Sequence, residues 1–343
     1  MIKPWIFEFM HAAGTPEEQI RPDAIARAFA DAMECWRLAE RLDYEGIFFS
    51  EHHFALSYGA APNLLIAALA PQTRRLRLGT MGMVLPFYQP WRVVEEIAML
   101  DHLTGGRLEI GCAAGVPQEL ARIGLSIEEG RERFNEALEI VDAALESPVI
   151  SHHGKYWNFD KLSILPRPLQ QPAPPKWTTV VSAESARKSA GRRSKIGTGF
   201  QSVARTTEIF DAYRGEADRR GVAVGPDHLA VRRNISIARD ASAAREAARI
   251  AKEMTLKIVA TDPRVQGNAS STLDAPKGAA GFSIDDDDFV AGTPTQVAEQ
   301  LIEQCRKCGA GHVIAILGRG LGDTRRDIIG MFGEEVIPIL RRA

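Results

Sequence analysis

Short apolar segments alternate with helical patterns eight times along this chain. After the first segment, Ile25, Phe29, Ala32 and Trp36 recur at helical spacing, which predicts an amphipathic helix. Strands that alternate with longer helices indicate repeated βαβ units and a parallel sheet. The eight predicted strands lie at 2–9, 46–50, 76–86, 107–112, 176–181, 196–200, 229–238 and 312–317. The predicted helices lie at 22–43, 62–72, 90–103, 131–145, 184–193, 206–220, 241–259, 293–308 and 323–341.

The connections between these segments favour a closed barrel. No glycine-rich dinucleotide fingerprint follows the first strand, so a doubly wound sheet fits less well. We predict an α/β fold, a (β/α)8 TIM barrel with insertions, as a single domain over residues 1–343. The insertions are a segment with short strands at 148–160 and a long loop late in the chain, at 261–288. That loop is long and poor in apolar residues, so it is either a mobile lid or partly disordered.

Composition narrows the classes of function. The 42 basic and 44 acidic residues give a net charge of −2, so no nucleic-acid partner is predicted. No apolar run approaches the roughly 18 residues of a membrane span, and the amino terminus lacks a secretory pattern. Four cysteines are too few for a disulfide framework, which favours a reduced, cytoplasmic setting.

Two constellations resemble metal sites, but we assign neither to a metal. Cys305, Cys308 and His312 offer three local ligands where structural zinc needs four, so both cysteines are expected in the core. The acidic run at 285–288 is expected to be a solvated face. No metal is predicted.

Polar residues follow the second predicted strand at the point where it ends. Residues 46–49 are apolar, and Ser50, Glu51, His52 and His53 come directly after them. Ionisable rings are costly to bury without partners, and catalytic groups collect at the carboxyl ends of barrel strands. These residues therefore mark a candidate catalytic site. The alternative is that one histidine hydrogen-bonds a turn and the other is solvated.

Five segments together resemble the bacterial luciferase-like family of flavin-dependent monooxygenases. They lie in the order in which the family has them, and they span nearly the whole chain. The segments are Glu-His-His-Phe at 51–54, 78–86, 100–107, 183–186 and Gly-Thr-Pro at 292–294.

The resemblance implies a barrel that binds reduced FMN at its carboxyl face and then O2 as a co-substrate. His52 matches the active-site histidine of the family. Histidine, whose unperturbed pKa is near 6.5, can exchange the protons that flavin oxygenation requires. His53 should point the other way and have a packing or hydrogen-bonding role. Met81 and Gly82 match a non-prolyl cis peptide behind the flavin ring. The alternative for this pair is an ordinary strand exit in which glycine allows a bend.

Glu184 and Ser185 match the phosphate-binding turn of the family. Backbone amides at a helix N-terminus form an anion site, and Ser185 adds a hydroxyl. The alternative is that Ser182 or Glu184 simply caps the helix. Residues Ala113 and Ala114 stand where luciferase proper has a reactive cysteine and a phosphate-assisting arginine, so light emission is not expected. We expect Lys188 or Arg192 to supply the missing charge.

The function predicted from this resemblance is that of a two-component FMN-dependent monooxygenase. A separate NAD(P)H:flavin reductase would deliver reduced FMN, and this protein would use O2 to oxygenate a small organic substrate. One alternative is a deazaflavin (F420)-dependent hydride-transfer enzyme on the same barrel; another is a non-catalytic flavin-binding protein. The resemblance also implies a homodimer, for which the apolar helices 62–72 and 90–103 could supply an interface. Segment 261–288 is the candidate lid.

Overall fold

The computed structural model describes residues 1–12, 15, 17–54, 57–260, 285–318 and 324–343. Within these ranges, no helix combines the length and the apolar content that crossing a bilayer requires. The strands are β1 Lys3–Glu8, β2 Gly46–Phe49, β3 Arg77–Thr80, β4 Met83–Val84, β5 Leu108–Ala113, β6 Val149–His153, β7 Asn158–Ser163, β8 Lys176–Thr179, β9 Lys195–Thr198, β10 Leu229–Ile237, β11 Phe289–Gly292 and β12 His312–Leu317.

The helices begin and end at residues whose chemistry explains their limits. Pro22 opens the first helix, where proline loses no hydrogen bond. Ser126 accepts a hydrogen bond from Glu129 N and starts the fifth helix. The helices are α1 Pro22–Arg41, α2 Pro62–Leu69, α3 Pro90–Leu103, α4 Pro117–Arg122, α5 Ile127–Glu146, α6 Ala183–Gly191, α7 Val203–Arg219, α8 Ala241–Ala260, α9 Pro294–Cys308, α10 Arg325–Met331 and α11 Ile337–Arg342.

Eight parallel strands close into a barrel, which confirms the predicted (β/α)8 fold. Their order around the barrel is β1, β2, β3, β5, β8, β9, β10 and β12. Closure follows because β12 pairs with both β10 and β1, and β10 pairs with β9. All eight strands match segments predicted from apolar runs. Their carboxyl ends therefore meet at one face of the barrel.

Two apolar layers hold the barrel together. An inner cluster fills the barrel, with Trp5 stacked on Phe48 at 4.3 Å between ring centroids and Met81 and Trp177 beside them. An outer cluster packs the other face of each strand against the helices, with Trp36 of α1 fully buried. Cys305 and Cys308 of α9 belong to this outer core, as predicted.

Several predicted elements differ in their limits. The helix predicted at 131–145 begins at Ile127, because Ser126 caps it. The last predicted helix is interrupted by a π-helical turn at Phe332–Val336. The predicted excursion at 148–160 is the antiparallel β6–β7 pair. The proposed lid at 261–288 falls mostly on residues 261–284, which lie outside the described residues.

The acidic run differs from its prediction at its last residue. Asp286 is exposed, as expected of a solvated face, whereas Asp288 is fully buried. The reason lies in the sheet: β10 pairs with β9 near its start and with β11 near its end. Phe200 follows the end of β9, where pairing with β10 has ended, so its amide needs another acceptor. Asp288 Oδ1 accepts this hydrogen bond at 2.8 Å. The prediction of a solvated face was therefore wrong for Asp288.

Candidate active site

His52 lies just beyond the carboxyl end of β2 and contacts a buried carboxylate. Its Nδ1 is 3.0 Å from Oε1 of Glu119, and the Glu119 side chain is almost fully buried. The His52 ring also stacks on Phe9, with 5.6 Å between centroids. Opposite an ionised carboxylate, which only accepts hydrogen bonds, Nδ1 is the donor, and in the neutral ring Nε2 then carries the lone pair. With its side chain 30% exposed, His52 remains accessible to a ligand.

Glu119 was not singled out from the sequence. It lies on the short helix α4, which was not predicted, and 67 residues separate it from His52. Pro117 at the first helical position was the signal that could have indicated this helix. No local pattern, however, could place its third residue beside the end of β2.

His53 contacts a different carboxylate from His52. Its Nε2 lies 2.8 Å from Oε1 of Glu51, a buried residue whose Oε2 accepts a hydrogen bond from Val84 N at 3.2 Å. The hydrogen bond to Glu51 raises the pKa of His53, and partial burial opposes this. The His53 ring packs edge-on against Phe87. This hydrogen-bonding and packing role agrees with the expectation for His53.

The peptide bond between Met81 and Gly82 is cis, as the resemblance implies. It follows the carboxyl end of β3. A Cβ atom at Gly82 would lie 2.8 Å from the carbonyl carbon of Cys112, so only glycine fits against β5. Met81 turns into the inner cluster, where its Sδ would be 3.7 Å from a Cβ at Gly197. The role of these two residues in binding a cofactor stays a prediction.

The turn before α6 is the candidate anion site, and two of its serines already form hydrogen bonds with each other. Ser182 is the N-cap residue and accepts a hydrogen bond from Ser185 N, while Ser185 Oγ donates to Ser182 O at 2.9 Å. The first amides of a helix have no acceptor within it, so those of Ala183 and Glu184 can face a ligand. Ser182 caps the helix, as the alternative expected, and the cap leaves the amides of Ala183 and Glu184 without an acceptor inside the helix. Their role in binding an anion stays a prediction.

Lys188 lies one helical turn from the amides of α6 and is paired with Glu184. Its Nζ is 2.8 Å from Glu184 Oε1, and both side chains are exposed. The ammonium lowers the pKa of Glu184 and neutralises a carboxylate beside the anion site. Arg192 is at the other end of α6, where its Nε is 3.8 Å from Asp142 Oδ2. Of the two cations expected to replace the missing arginine, only Lys188 is near the turn.

The residues present fit a flavin mononucleotide. The α6 turn supplies amides, a hydroxyl and a nearby cation for a phosphate, and the other end of such a ligand would meet Met81, Gly82 and His52 at the same barrel face. Burial raises the pKa of the Cys112 thiol to about 12, so it is no thiolate nucleophile. The described residues hold no group of three or more potential metal ligands.

Fold and site together define a class: an α/β-barrel enzyme with a histidine–carboxylate pair at the carboxyl face. The family model for luciferase-like monooxygenases matches residues 6–312, nearly the whole chain. The chain belongs to the luciferase-like monooxygenases, a family of flavin-dependent enzymes, and the predicted resemblance is confirmed.

Two relatives illustrate the similarity in sequence. An uncharacterised protein of Sinorhizobium fredii is 30% identical over 311 residues, 87% of each chain. The oxygenase component of a flavin-dependent trigonelline monooxygenase from Acinetobacter baylyi is 33% identical over 174 residues, which cover 49% of this chain and 47% of that one.

Solved structures show the same barrel at low sequence identity. A monooxygenase from Streptomyces bottropensis has a TM-score of 0.85 and 22% identity, with both chains fully covered. The oxygenating constituent of 3,6-diketocamphane monooxygenase from Pseudomonas putida, in complex with FMN, has a TM-score of 0.75 and 19% identity over 99% of this chain and 98% of that one. A coenzyme F420-dependent reductase from Methanopyrus kandleri has a TM-score of 0.72 and 18% identity over 98% and 99%. These similarities show the fold alone.

Proposed function

We propose that this protein is the oxygenase of a two-component, FMN-dependent monooxygenase. Reduced FMN, made by a separate NAD(P)H:flavin reductase, would bind at the carboxyl face, and O2 would oxygenate a small organic substrate. One observation carries the proposal: His52, the Met81–Gly82 cis peptide and the α6 turn follow the carboxyl ends of β2, β3 and β8. Parallel strands of a closed barrel bring these three ends to one face.

His52 is the proposed acid and base of the reaction. Bound reduced FMN supplies two electrons, so that one atom of O2 enters the substrate and the other leaves as water. The lone pair on Nε2 takes up a proton, and the protonated ring returns it. Glu119 keeps Nδ1 as the donor and stabilises the imidazolium when it forms.

The α6 turn and the cis peptide are the proposed supports of the cofactor. Amides of Ala183 and Glu184 bind the phosphate, and the Ser185 hydroxyl exchanges its hydrogen bond to Ser182 O for one to the phosphate. Lys188 cancels the charge of Glu184. Met81 and Gly82 support the flavin ring from inside the barrel. In this arrangement the barrel wall excludes water from one side of the ring.

The partners are proposed on two grounds. The similarity to a protein named as an oxygenase component supports a separate reductase. Exposed apolar residues on two neighbouring helices support a homodimer, because such patches on a globular protein mark interaction surfaces. These residues are Leu64 on α2, and Met99 and Leu103 on α3.

A second candidate is hydride transfer with reduced F420, which needs no O2. The shared fold with an F420-dependent reductase favours keeping it. A non-catalytic flavin-binding protein is the third candidate. The buried carboxylate of Glu119 argues against it. Burying a charge costs free energy, and a protein that only binds flavin needs no carboxylate to orient His52.

Anaerobic binding followed by isotope labelling separates the three candidates. The five tryptophans report binding by fluorescence quenching, with reduced FMN and reduced F420 titrated in parallel. The FMN-loaded protein is then mixed with 18O2 and a panel of small organic compounds, with an added flavin reductase. We expect binding of FMN and one 18O atom in the product. Turnover with F420 without O2 would support the second candidate. FMN binding with no conversion above that of the reductase alone, in wild type as in His52→Ala, would support the third.

A further inference from the structure

Two consecutive arginines on β10 are buried and face opposite sides of the barrel wall. The side chain of Arg232 is 9% exposed and that of Arg233 is 0% exposed. Arg232 is in register with Ile314 of β12, which belongs to the inner cluster, so Arg232 faces the interior. Arg233 faces the helices, where its Nε donates to Gln304 Oε1 at 2.6 Å.

The carboxylate of Asp288 lies within 4 Å of both guanidinium groups. Asp288 Oδ2 is 3.6 Å from Arg232 Nη2, and Asp288 Oδ1 is 3.8 Å from Arg233 Nη1, both beyond hydrogen-bonding distance. Asp288 instead accepts hydrogen bonds from Phe200 N and, at 2.5 Å, from Asn234 Nδ2. Two positive charges and one negative charge leave one buried positive charge in this group. Burial accordingly lowers the pKa of Arg232.

Two polar atoms of this group, one on Arg232 and one on Asn234, lack a hydrogen-bond partner in the part of the chain that the structure describes. Within the described ranges, neither Arg232 Nη2 nor Asn234 Oδ1 has a hydrogen-bond partner, although both atoms are buried. Asn234 shares the inner face with Arg232, because it lies two residues further along the strand and is in register with Ile316 of the inner cluster. Buried polar atoms in proteins almost always have a partner, so these two atoms can each form a further hydrogen bond with a ligand.

The Arg232 side chain is held in place before any ligand arrives. Its guanidinium lies over the Phe200 ring, 3.9 Å from the centroid. Its Nε occupies the space in which a Cβ at Gly199 would lie, so glycine there allows the close approach. Gly197, two residues earlier on β9, is the residue over which Met81 packs. Arg232 is therefore about two residues along the strand nearer to the carboxyl face of the barrel than the Met81 thioether.

We propose that Arg232 binds the carboxylate of an anionic substrate, with Asn234 Oδ1 accepting a hydrogen bond from the same molecule. This inference rests on the proposed function, because it takes the bound carboxylate to belong to the compound that is oxygenated. A carboxylate carries one negative charge and matches the single excess charge of the group. A planar guanidinium also matches the two oxygens of a carboxylate. The phosphate of the cofactor has its own site at α6.

The test uses benzoate and its neutral counterpart benzamide as probes. Each is titrated into the full chain, with and without oxidised FMN, and its dissociation constant is measured by calorimetry. We expect wild-type protein to bind benzoate at least tenfold more tightly than benzamide, and Arg232→Met to lose this preference. Arg205→Met is the matched control, because Arg205 is an exposed arginine of α7 paired with Glu208. It should keep the preference.

A second arm separates a substrate carboxylate from the phosphate of the cofactor. Arg232→Met should change the dissociation constant of FMN by less than about twofold. A tenfold weaker FMN complex, with inorganic phosphate displacing benzoate, would assign Arg232 to the cofactor and overturn the proposal. Equal binding of benzoate and benzamide by wild-type protein would overturn it without any variant, even if Arg232→Met fails to fold. A carboxylate preference without 18O incorporation would reject the proposed function and keep the anion site.

Discussion

His52 owes its orientation to a carboxylate from a distant part of the chain. Glu119 holds Nδ1 at 3.0 Å, and Phe9 stacks on the ring face, so two separate elements fix one imidazole. Glu119 Oε2 is buried and has no hydrogen-bond partner among the described residues. The pair therefore has an energetic cost that packing alone does not explain. A role in holding one tautomer of His52 accounts for it.

Replacing either member of this pair should slow oxygenation. We expect His52→Ala to lower the rate of product formation by about 100- to 10,000-fold, because a general acid–base group is lost. Glu119→Gln should lower it by about tenfold or more and change the pH profile, because an amide no longer fixes the tautomer. Rates come from product analysis with reduced FMN. His153→Ala, at an exposed histidine, is the control; a rate for His52→Ala equal to that of the control would contradict the assignment.

Lys188 should matter for the cofactor through its neighbour Glu184. Removing the ammonium in Lys188→Ala leaves the Glu184 carboxylate uncompensated beside the anion site. We expect FMN to bind about two- to fivefold more weakly at low salt, the size of effect typical of a charge at a helix terminus. Fluorescence titration measures this change. Lys307→Ala removes a similar exposed pair with Glu303 and should have no effect.

A double variant tests the cause of that effect. If Lys188 acts by neutralising Glu184, then adding Glu184→Gln to Lys188→Ala should restore FMN affinity. Affinity that is unchanged in the single variant would remove Lys188 from the site.

At the scale of elements, close backbone contact between β3 and β5 shapes the wall beside the cis peptide. A Cβ at Gly111 would collide with the carbonyl oxygen of Thr80, and Thr80 Oγ1 donates to Gly111 O at 2.8 Å. The two strands can lie this close only if residue 111 has no side chain. The position of Met81, which follows Thr80 directly, depends on this contact.

Gly111→Ala should therefore destabilise the protein by about 1–3 kcal/mol, as overpacking usually does. Gly215→Ala is the matched control, because a Cβ at this position of α7 would meet open space. Alanine should stabilise the helix interior there by about 0.5–1 kcal/mol. Urea denaturation measures both changes. Equal effects of the two substitutions would show that the β3–β5 contact does not restrict residue 111.

The elements that could be predicted from the sequence are those with a recognisable pattern within their own residues. Most barrel strands contain a short apolar segment with both faces largely buried, so the local pattern identified them. Strand β11 has four residues and pairs with β10, and the role of Asp288 depends on where the pairing of β9 with β10 ends. Such features arise from packing between distant segments. His52, Ser185 and the cis peptide were found through family motifs, whereas Glu119 and Arg232 belong to no motif and required the structure.

At the scale of the whole molecule, the amino-terminal end of the barrel interior holds charged and polar groups. Glu109 accepts hydrogen bonds from Arg77 at 2.6 Å and from Trp177 at 2.5 Å. His312 accepts at Nδ1 from Trp5 and donates from Nε2 to Asp227 O. Both nitrogens of a neutral imidazole are thus satisfied. Burial, with help from nearby lysines, lowers the pKa of His312 to about 3.

This histidine should make the protein less stable in acid. The unfolded chain takes up a proton on His312 near pH 6.5, whereas the folded chain does not until about pH 3. Proton uptake therefore favours unfolding, and the stability due to this group is complete above pH 6.5 and falls as the pH decreases. The slope is at most about 1.4 kcal/mol per pH unit. The free energy of unfolding of His312→Gln should fall less steeply between pH 6.5 and 4 than that of wild type.

The comparison needs a control, because carboxylates also titrate in acid. His153→Gln changes an exposed histidine and should keep the wild-type slope. If His312→Gln and His153→Gln show the same slope, His312 is not buried in its neutral form.

The central claim is that a flavin lies across the carboxyl face of the barrel, between His52 and the α6 turn. A crystal structure of the complex with oxidised FMN tests it most directly. We expect the phosphate within hydrogen-bonding distance, about 2.7–3.2 Å, of the Ala183 or Glu184 amide or of the Ser185 hydroxyl. The ring should rest on the Met81–Gly82 peptide with its edge toward His52. A phosphate bound at Arg232, or a ring outside the barrel mouth, would contradict the account.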